Sequence, residues 1–334
     1  MMLLTSVELC AGAGGQAQGL ERADIEHVAL VEIDRHACAT LRMNRPAWNV
    51  LEMDVREFKG GPFKGADLLT GGLPCPPYSI AGKQLGPLDD RDLFGHGMRV
   101  IDEVRPLGAM LENVKGILSP KFEDVRQDLR STLKKLGFVV DWRLLNAADF
   151  GVSQLRPRAI FVALPAKAAE HFRWPVPHPW SAPTVGDLLV DLMGSKGWER
   201  AGDWAAAADD IGPTLVGGSK LHGGADLGPT RARKAWATLG VDGRGLANDV
   251  PPPGFGGMPR LTWRMAARIQ GFPDTWKFSG GKTAIYRQIG NAFPPPVAEA
   301  VGRSVKAAID AASSGSLPRR KEVKKKRPLS TISV

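Results

Sequence analysis

Between residue 3 and about residue 165, short apolar runs alternate with stretches of helical spacing, and nothing else in the chain limits its possible folds as much. The runs are LLTSVEL, HVALVEI, NVLEMDV, ADLLTGG, LGAMLEN, FVVDWRLLNA and RAIFVALP. Between them lie QAQGLERA, RHACATLRM, DLFGHGMRVIDEV and FEDVRQDLRSTLKKLG. Strands that alternate with helices are joined by right-handed crossovers and lie mostly parallel. The segment therefore predicts an α/β fold, a Rossmann-like and mostly parallel sheet with helices on both faces. Such sheets bind ligands at the carboxyl ends of their strands. Residues able to do chemistry are expected just after each apolar run.

Near residue 172 the composition changes. FRWPVPHPWSAP holds four prolines in twelve residues and reads as a linker or an extended crossing segment. From 174 to about 260 the chain is rich in Gly, Pro, Trp and basic residues, with poor periodicity, which predicts a smaller, loop-rich domain. LTWRMAARIQG restores helical spacing, with Thr262 as an N-cap, and PPVAEAVGRSVKAAIDAA is an amphipathic helix opened by Pro295 and Pro296. A length of 334 residues is long for one core. The expected division is 1–173 for a catalytic and cofactor-binding domain, 174–275 for a small domain, 276–312 for a segment returning to the first, and 313–334 for a tail.

The net charge of +9 is concentrated in that tail. RRKEVKKKRP carries seven Lys or Arg against one Glu, with almost no apolar content, so it is expected to be disordered and solvated. The charge of the remaining chain makes only a modest case for nucleic acid. No apolar run reaches 18 residues, and the N-terminus reads as a strand and not a signal peptide. The three cysteines, Cys10, Cys38 and Cys75, are too widely spaced for a disulfide framework or a structural zinc site. A reducing, cytoplasmic compartment is expected.

VELCAGAGGQAQGLE places a glycine-rich turn directly after the first strand, where Gly12, Gly14 and Gly15 permit close approach of a ligand to the backbone. Glu32 ends the second strand, where an acid can accept from both ribose hydroxyls, and Asp54 ends the third, where a carboxylate can accept from an adenine amino group. The loop has no Lys or Arg to meet a pyrophosphate, and Glu8 precedes it. Carboxylates suit a cationic ligand better than an anionic one. S-adenosylmethionine fits, with an ammonium, a sulfonium and an adenosine but no phosphate; NAD stays open on these residues.

GGLPCPPYSIAG sets Cys75 between Pro74 and Pro76, after the fourth strand. An inert buried thiol is the commonest fate of a cytosolic cysteine. A nucleophilic one needs help to form the thiolate and an acid to meet the electron density that its attack creates. Glu112, followed by Asn113, ends the fifth strand, where burial raises a carboxyl and fits it to donate a proton. Gln154, Arg156 and Arg158 alternate on entry to the seventh strand and face one way. A buried guanidinium such as that of Arg158 needs a carboxylate or an anionic partner.

Together these residues resemble the C5-cytosine-specific DNA methyltransferase family, over nearly the whole chain except the tail and most of 174–260. ELCAGAGGQAQGLE resembles the cofactor loop, VEID the ribose-binding acid, MDV the adenine-binding Asp, PCPPYS the nucleophile motif, ENV the glutamate motif and QLRPR the QxRxR motif. LTWRMAARIQGFPDTW and QIGNAFPP resemble the last two motifs, in the unpermuted order. Cys10 stands where the family often has a phenylalanine, and Pro76 and Tyr78 stand where Gln and Phe are also common.

The resemblance implies methyl transfer from S-adenosyl-L-methionine to C5 of a flipped-out cytosine in double-stranded DNA, through a covalent bond from Cys75 to C6. It implies Glu112 at N3, Arg158 at O2, Arg156 supporting Glu112 or the adduct, and Asn113 and Gln154 behind them. The implied cofactor residues are Cys10, Ala11, Gly12, Ala13, Gly15, Glu32, Ile33, Asp54, Val55, Gly72, Pro74, Leu93, Asn291 and Ala292. The segment after Cys75 is expected to close over DNA, with Ser79, Ala81, Lys83, Gln84 and Arg91 as contacts. The 174–260 segment would be the target-recognition domain, with Thr214–Leu215 matching a family pair and Thr214, Lys220, His222, Arg231 and Arg233 as contacts. Its glycine pairs 217–218 and 223–224 suggest backbone close to DNA. No metal is implied. The expected protein is a monomer, a bacterial or phage modification enzyme with a possible cognate restriction endonuclease sharing its target.

Overall fold

The computed structural model describes residues 3–73, 93–177, 182–218 and 224–314. Seven strands form one sheet: β1 (Leu4–Leu9), β2 (Ile25–Glu32), β3 (Val50–Glu52), β4 (Leu68–Gly71), β5 (Gly108–Val114), β6 (Phe138–Asn146) and β7 (Pro157–Pro165). The spatial order is β3-β2-β1-β4-β5-β7-β6, and β7 runs antiparallel to both of its neighbours. Every apolar run read from the sequence became a strand of this sheet. The third is shorter than NVLEMDV because Asp54 turns the chain: its Oδ1 accepts from the Arg56 N–H at 2.8 Å, and the Phe58 N–H reaches the Asp54 carbonyl at 3.1 Å.

The helices between these strands are α1 (Gly15–Arg22), α2 (Arg35–Asn44), α3 (Phe94–Val104) and α4 (Glu123–Lys135), and a short α5 (Ala166–Ala169) follows β7. Asp34 caps α2 by accepting from the His36 and Ala37 N–H groups. Period-two alternation splits each strand between two apolar layers. Val7, Leu9, Ala109, Leu111, Ala159 and Phe161 pack on one side with α3 and α4 residues such as Val100, Ile101 and Leu133. Leu4, Met110, Ile160 and Val162 pack on the other with Leu20 of α1 and the last helix.

The segment expected to be loop-rich carries three helices among its described residues, α6 (Val185–Met193), α7 (Ala201–Ala207) and α8 (Thr230–Thr238). Their core is built from Trp198, Trp204 and Trp236 with Leu189, Met193 and Leu215. Helix α6 buries Val185, Leu189 and Met193 at helical spacing, while α7 and α8 bury Trp204 and Trp236 in place of an aliphatic stripe. Thr184 caps α6, its hydroxyl accepting from the Asp187 N–H at 3.1 Å. Then come α9 (Trp263–Ile269), capped by Thr262 as expected, α10 (Lys282–Asn291) and α11 (Pro295–Ser313). Packing runs on across residue 275, since Trp276, Ile285, Tyr286 and Ile289 share the core of Trp204 and Trp236. The chain also returns to the sheet side: Gln288 accepts from the Thr40 hydroxyl of α2, and Phe293 with Val297, Val301 and Val305 of α11 packs with Leu20. Among the described residues no helix is long and apolar enough to cross a membrane.

Candidate active site

A cavity of about 540 Å³ opens at the carboxyl ends of the parallel strands. Its floor is the turn after β1. Cys10 and Gly12 have positive φ, and the left-handed Gly14 (φ 83°) starts α1. A side chain at Gly14 would meet Leu41 and Trp276, so the turn is compressed as well as strained for any other residue. Glu32 ties this turn to the end of β2. Its Oε2 accepts from the Gly12 N–H at 2.7 Å, and its Oε1 from the N–H groups of Ile33 and Asp34 at 2.9 and 2.8 Å. Burial raises its pKa against those three donors. Asp54 also lines the cavity, and the Arg56 side chain grips its Oδ2, which lowers its pKa.

Glu8, at the end of β1, is 1% exposed, and its Oε2 has no hydrogen-bond partner. Burial, and after it the neighbouring Glu32 carboxylate, push its pKa well up. Both polar atoms of the buried Gln16 are unpartnered as well. Of the expected cofactor residues, Cys10, Ala11, Gly12, Gly15, Glu32, Ile33, Asp54, Val55, Gly72, Leu93, Asn291 and Ala292 line this one cavity. Ala13 does not: it is buried in the second core, with its carbonyl accepting from the Trp276 indole at 3.1 Å. Pro74 lies outside the described residues. Sequence reasoning missed several further lining residues, among them Gln16, Met53, Arg287, Gln288 and Phe293. The motifs ELCAGAGGQAQGLE, MDV and QIGNAFPP held a signal for Gln16, Met53, Gln288 and Phe293, and none for Arg287.

Glu112 joins the same cavity from β5. In the antiparallel ladder Glu112 faces Ile160 and Val114 faces Arg158, so Glu112 and Arg158 are diagonal neighbours on one face. Because β7 runs antiparallel, its N-terminal end arrives where the other strands finish. Arg158 Nε donates to Glu112 Oε1 at 2.7 Å, and each side chain is 13% exposed. The carboxylate partner expected for the Arg158 guanidinium is thus Glu112. Glu112 Oε2 lies beside Gly72, where a Cβ would approach it to 3.1 Å. Asn113, buried behind Glu112, donates from Nδ2 to the Leu73 carbonyl at 3.2 Å and so holds the chain two residues before Cys75. Cys75 itself lies outside the described residues, as do Ser79, Ala81, Lys83, Gln84, Arg91, Lys220 and His222.

Arg156 is 1% exposed and does not bond to Glu112. Its guanidinium donates to the carbonyls of Leu215, Gly290 and Ala292 at 2.8, 2.7 and 3.0 Å, and to Gln154 Oε1 at 3.3 Å. Gln154 in turn accepts from the Leu215 N–H at 2.9 Å and donates to Gln270 at 2.7 Å. The fork's hydrogen bonds are spent on main chain, joining the Thr214–Leu215 segment to the cavity wall at 290–292. The expected support of Glu112 by Arg156 reaches it through charge attraction and not through a hydrogen bond.

Of the residues expected to contact DNA, Thr214, Arg231 and Arg233 are described. The Thr214 hydroxyl donates to the Leu155 carbonyl at 2.5 Å, which fixes the small strand pair of residues 154–155 and 212–213. Gly217 packs on α10: a Cβ there would lie 2.5 Å from Asn291 Oδ1, and one at Gly290 only 2.4 Å from the Gly217 nitrogen. The glycine is needed for this backbone contact within the protein. Arg231 is exposed and Arg233 half-buried on α8. Among the described residues no cluster of His, Cys, Asp and Glu could hold a metal ion.

The family model for C-5 cytosine-specific DNA methylase matches residues 4–214 and 243–307. The chain belongs to that family. It is 54% identical over 321 residues to the type II methyltransferase M.NaeI of Lentzea aerocolonigenes, covering 94% of this chain and 78% of the relative. It is 53% identical over 312 residues to the type II methyltransferase M.NgoMIV of Neisseria gonorrhoeae, covering 91% and 97%. Among solved structures, DNMT2 of Spodoptera frugiperda (a mutant form) matches with a TM-score of 0.61 at 18% identity, over 92% of this chain and 99% of that one, and shares the fold. The protein is thus a DNA (cytosine-5)-methyltransferase, of a family dependent on S-adenosylmethionine. The stretch outside the family model, residues 215–242, spans α8 and the turn that packs on Asn291.

Proposed function

We propose that this methyltransferase modifies a cytosine within a specific sequence of double-stranded DNA, using Cys75 as nucleophile and holding S-adenosylmethionine in the 540 Å³ cavity. The observation that carries this reading is the meeting of two half-sites on one sheet edge: Glu112, paired with Arg158 at 2.7 Å, lines the same cavity as Glu8, Glu32 and Asp54. The lining fits the cofactor. Its acids outnumber its guanidiniums, one of which is already paired with Asp54, and the orphaned Glu8 Oε2 suits a cation. Glu32 would hold the ribose and Asp54 the adenine. When bound, S-adenosylmethionine supplies the electrophilic methyl that C5 takes.

The chain's own groups would do the rest. The Cys75 thiolate forms a bond to C6, and the C5–C6 electron pair moves toward N3 and O2. Glu112 hydrogen-bonds or protonates N3, and Arg158 donates to O2, so the charge that develops is met by groups already oriented by their own ion pair. After C5 carries the methyl, its proton leaves to water, the C5–C6 double bond reforms, and the bond to Cys75 breaks. Arg156 and Gln154 position the recognition segment against the cavity wall, and Asn113 holds the approach to Cys75.

Residues 1–173 would form the catalytic domain, the Trp-rich region the target-recognition domain, and the basic tail a solvated extension. The relatives' names as type II methyltransferases support a role beside a cognate restriction endonuclease; the enzyme would act as a cytoplasmic monomer. Bisulfite sequencing of DNA from cells expressing the chain tests this. Protection of one cytosine in a recurring sequence, lost with Cys75→Ala, is the expected result; unprotected DNA, or protection that survives Cys75→Ala, overturns it.

A further inference from the structure

Gln16 stands in the first turn of α1, just past the left-handed Gly14. It is 3% exposed and lines the cavity, yet neither Oε1 nor Nε2 has a hydrogen-bond partner. A buried carboxamide left so is costly, and a ligand that satisfies both atoms recovers the loss. The second orphan of the lining is Glu8 Oε2, at the end of the strand from which α1 departs.

The sheet order fixes which part of a ligand comes near Gln16. Glu32 ends β2 and Asp54 follows β3, so the nucleoside lies over that side, with β3 outermost. The remainder of the ligand then extends over β1 and the start of α1. For S-adenosylmethionine that remainder is a zwitterion, one ammonium and one carboxylate. A carboxamide can donate to the carboxylate and accept from the ammonium at once, which no apolar, acidic or basic side chain can do. Gly15 packs closely on the far wall, where a Cβ would lie 2.3 Å from the Phe293 carbonyl oxygen, so this position beside Gln16 takes only glycine.

We propose that Gln16 selects the amino-acid end of the cofactor, its Nε2 donating to the α-carboxylate and its Oε1 accepting from the α-ammonium, which Glu8 also meets. The inference rests on the reading of this cavity as the S-adenosylmethionine site. It makes Gln16 a specificity-determining residue, and 5′-methylthioadenosine, which keeps the adenosine and thioether but lacks the amino acid, is the probe that isolates it.

Calorimetry on the full chain with S-adenosylhomocysteine and with 5′-methylthioadenosine provides the test. Gln16→Leu is expected to weaken S-adenosylhomocysteine at least tenfold and to leave 5′-methylthioadenosine within about twofold of the unsubstituted protein. Gln16→Glu, which sets a charge against the carboxylate, is expected to weaken S-adenosylhomocysteine further, again sparing the truncated ligand. Equal loss of both ligands in either variant overturns the proposal, because it marks a general collapse of the cavity. Unchanged binding of both overturns it too. Failure of the unsubstituted protein to bind either ligand overturns the cofactor reading itself, an outcome distinct from the others.

Discussion

Arg156→Lys separates a positioning role from a chemical one. The arginine fork spans three carbonyls of two different segments, Leu215 on one side and Gly290 and Ala292 on the other. A single ammonium on a flexible stem cannot reproduce that planar geometry. Losing about two charge-assisted hydrogen bonds costs about 3–6 kcal/mol. That is a large part of the about 5–15 kcal/mol that stabilises an ordinary domain, so the variant should fold but melt roughly 5–15 °C lower. Thermal melting gives the first reading. The second is covalent capture of a duplex bearing 5-fluorocytosine, made well below both melting temperatures. Capture should persist at a reduced rate, with weaker cofactor binding because Ala292 lines the cavity. A variant that melts within about 2 °C of the unsubstituted protein yet captures no DNA would refute this reasoning and return Arg156 to the chemistry.

Gly290→Ala adds a methyl 2.4 Å from the Gly217 backbone nitrogen, so despite alanine's better helix propensity it should cost about 1–3 kcal/mol and weaken DNA binding more than cofactor binding, measured by melting and by titration with each ligand. Arg158→Ala leaves Glu112 without its ion-pair partner and the cytosine O2 without a donor; single-turnover methyl transfer should fall about a hundredfold or more. Glu8→Gln tests the buried acid. A carboxyl raised by burial holds its proton in the folded state, so the stability it allows is full below the ordinary carboxylate range and is lost as pH rises toward its folded value. The melting temperature of Glu8→Gln should therefore exceed that of the parent by a margin that widens with rising pH, while S-adenosylhomocysteine binding weakens.

The sheet was legible because each of its strands is an apolar run bounded by turn residues, and Thr262 announced its helix by a capping residue that the structure uses. The helix at Thr230–Thr238 was hidden because Trp236 is its buried residue, in place of an aliphatic stripe. Val185–Met193 did carry a signal, Val185, Leu189 and Met193 at helical spacing behind the Thr184 and Asp187 cap, which the surrounding Gly, Pro and Trp obscured. Glu112 and Arg158 were each visible as charges at strand ends. Their pairing needed the register of an antiparallel strand, which no spacing in the sequence reveals. The hydrogen-bond partners of Arg156 were hidden for a related reason: they are main-chain carbonyls, which every residue possesses and no sequence displays. Gly217 likewise serves a backbone contact with Gly290, seventy-odd residues away.

The central claim, that one sheet edge joins a thiol nucleophile to the Glu112–Arg158 pair, is tested most directly by peptide mass spectrometry of the complex trapped on 5-fluorocytosine duplex DNA with S-adenosylmethionine. The account predicts a single modified peptide, bonded to the base through Cys75, whose yield falls sharply in Glu112→Gln. An adduct on Cys10 or Cys38, or full capture by Cys75→Ala, would contradict it.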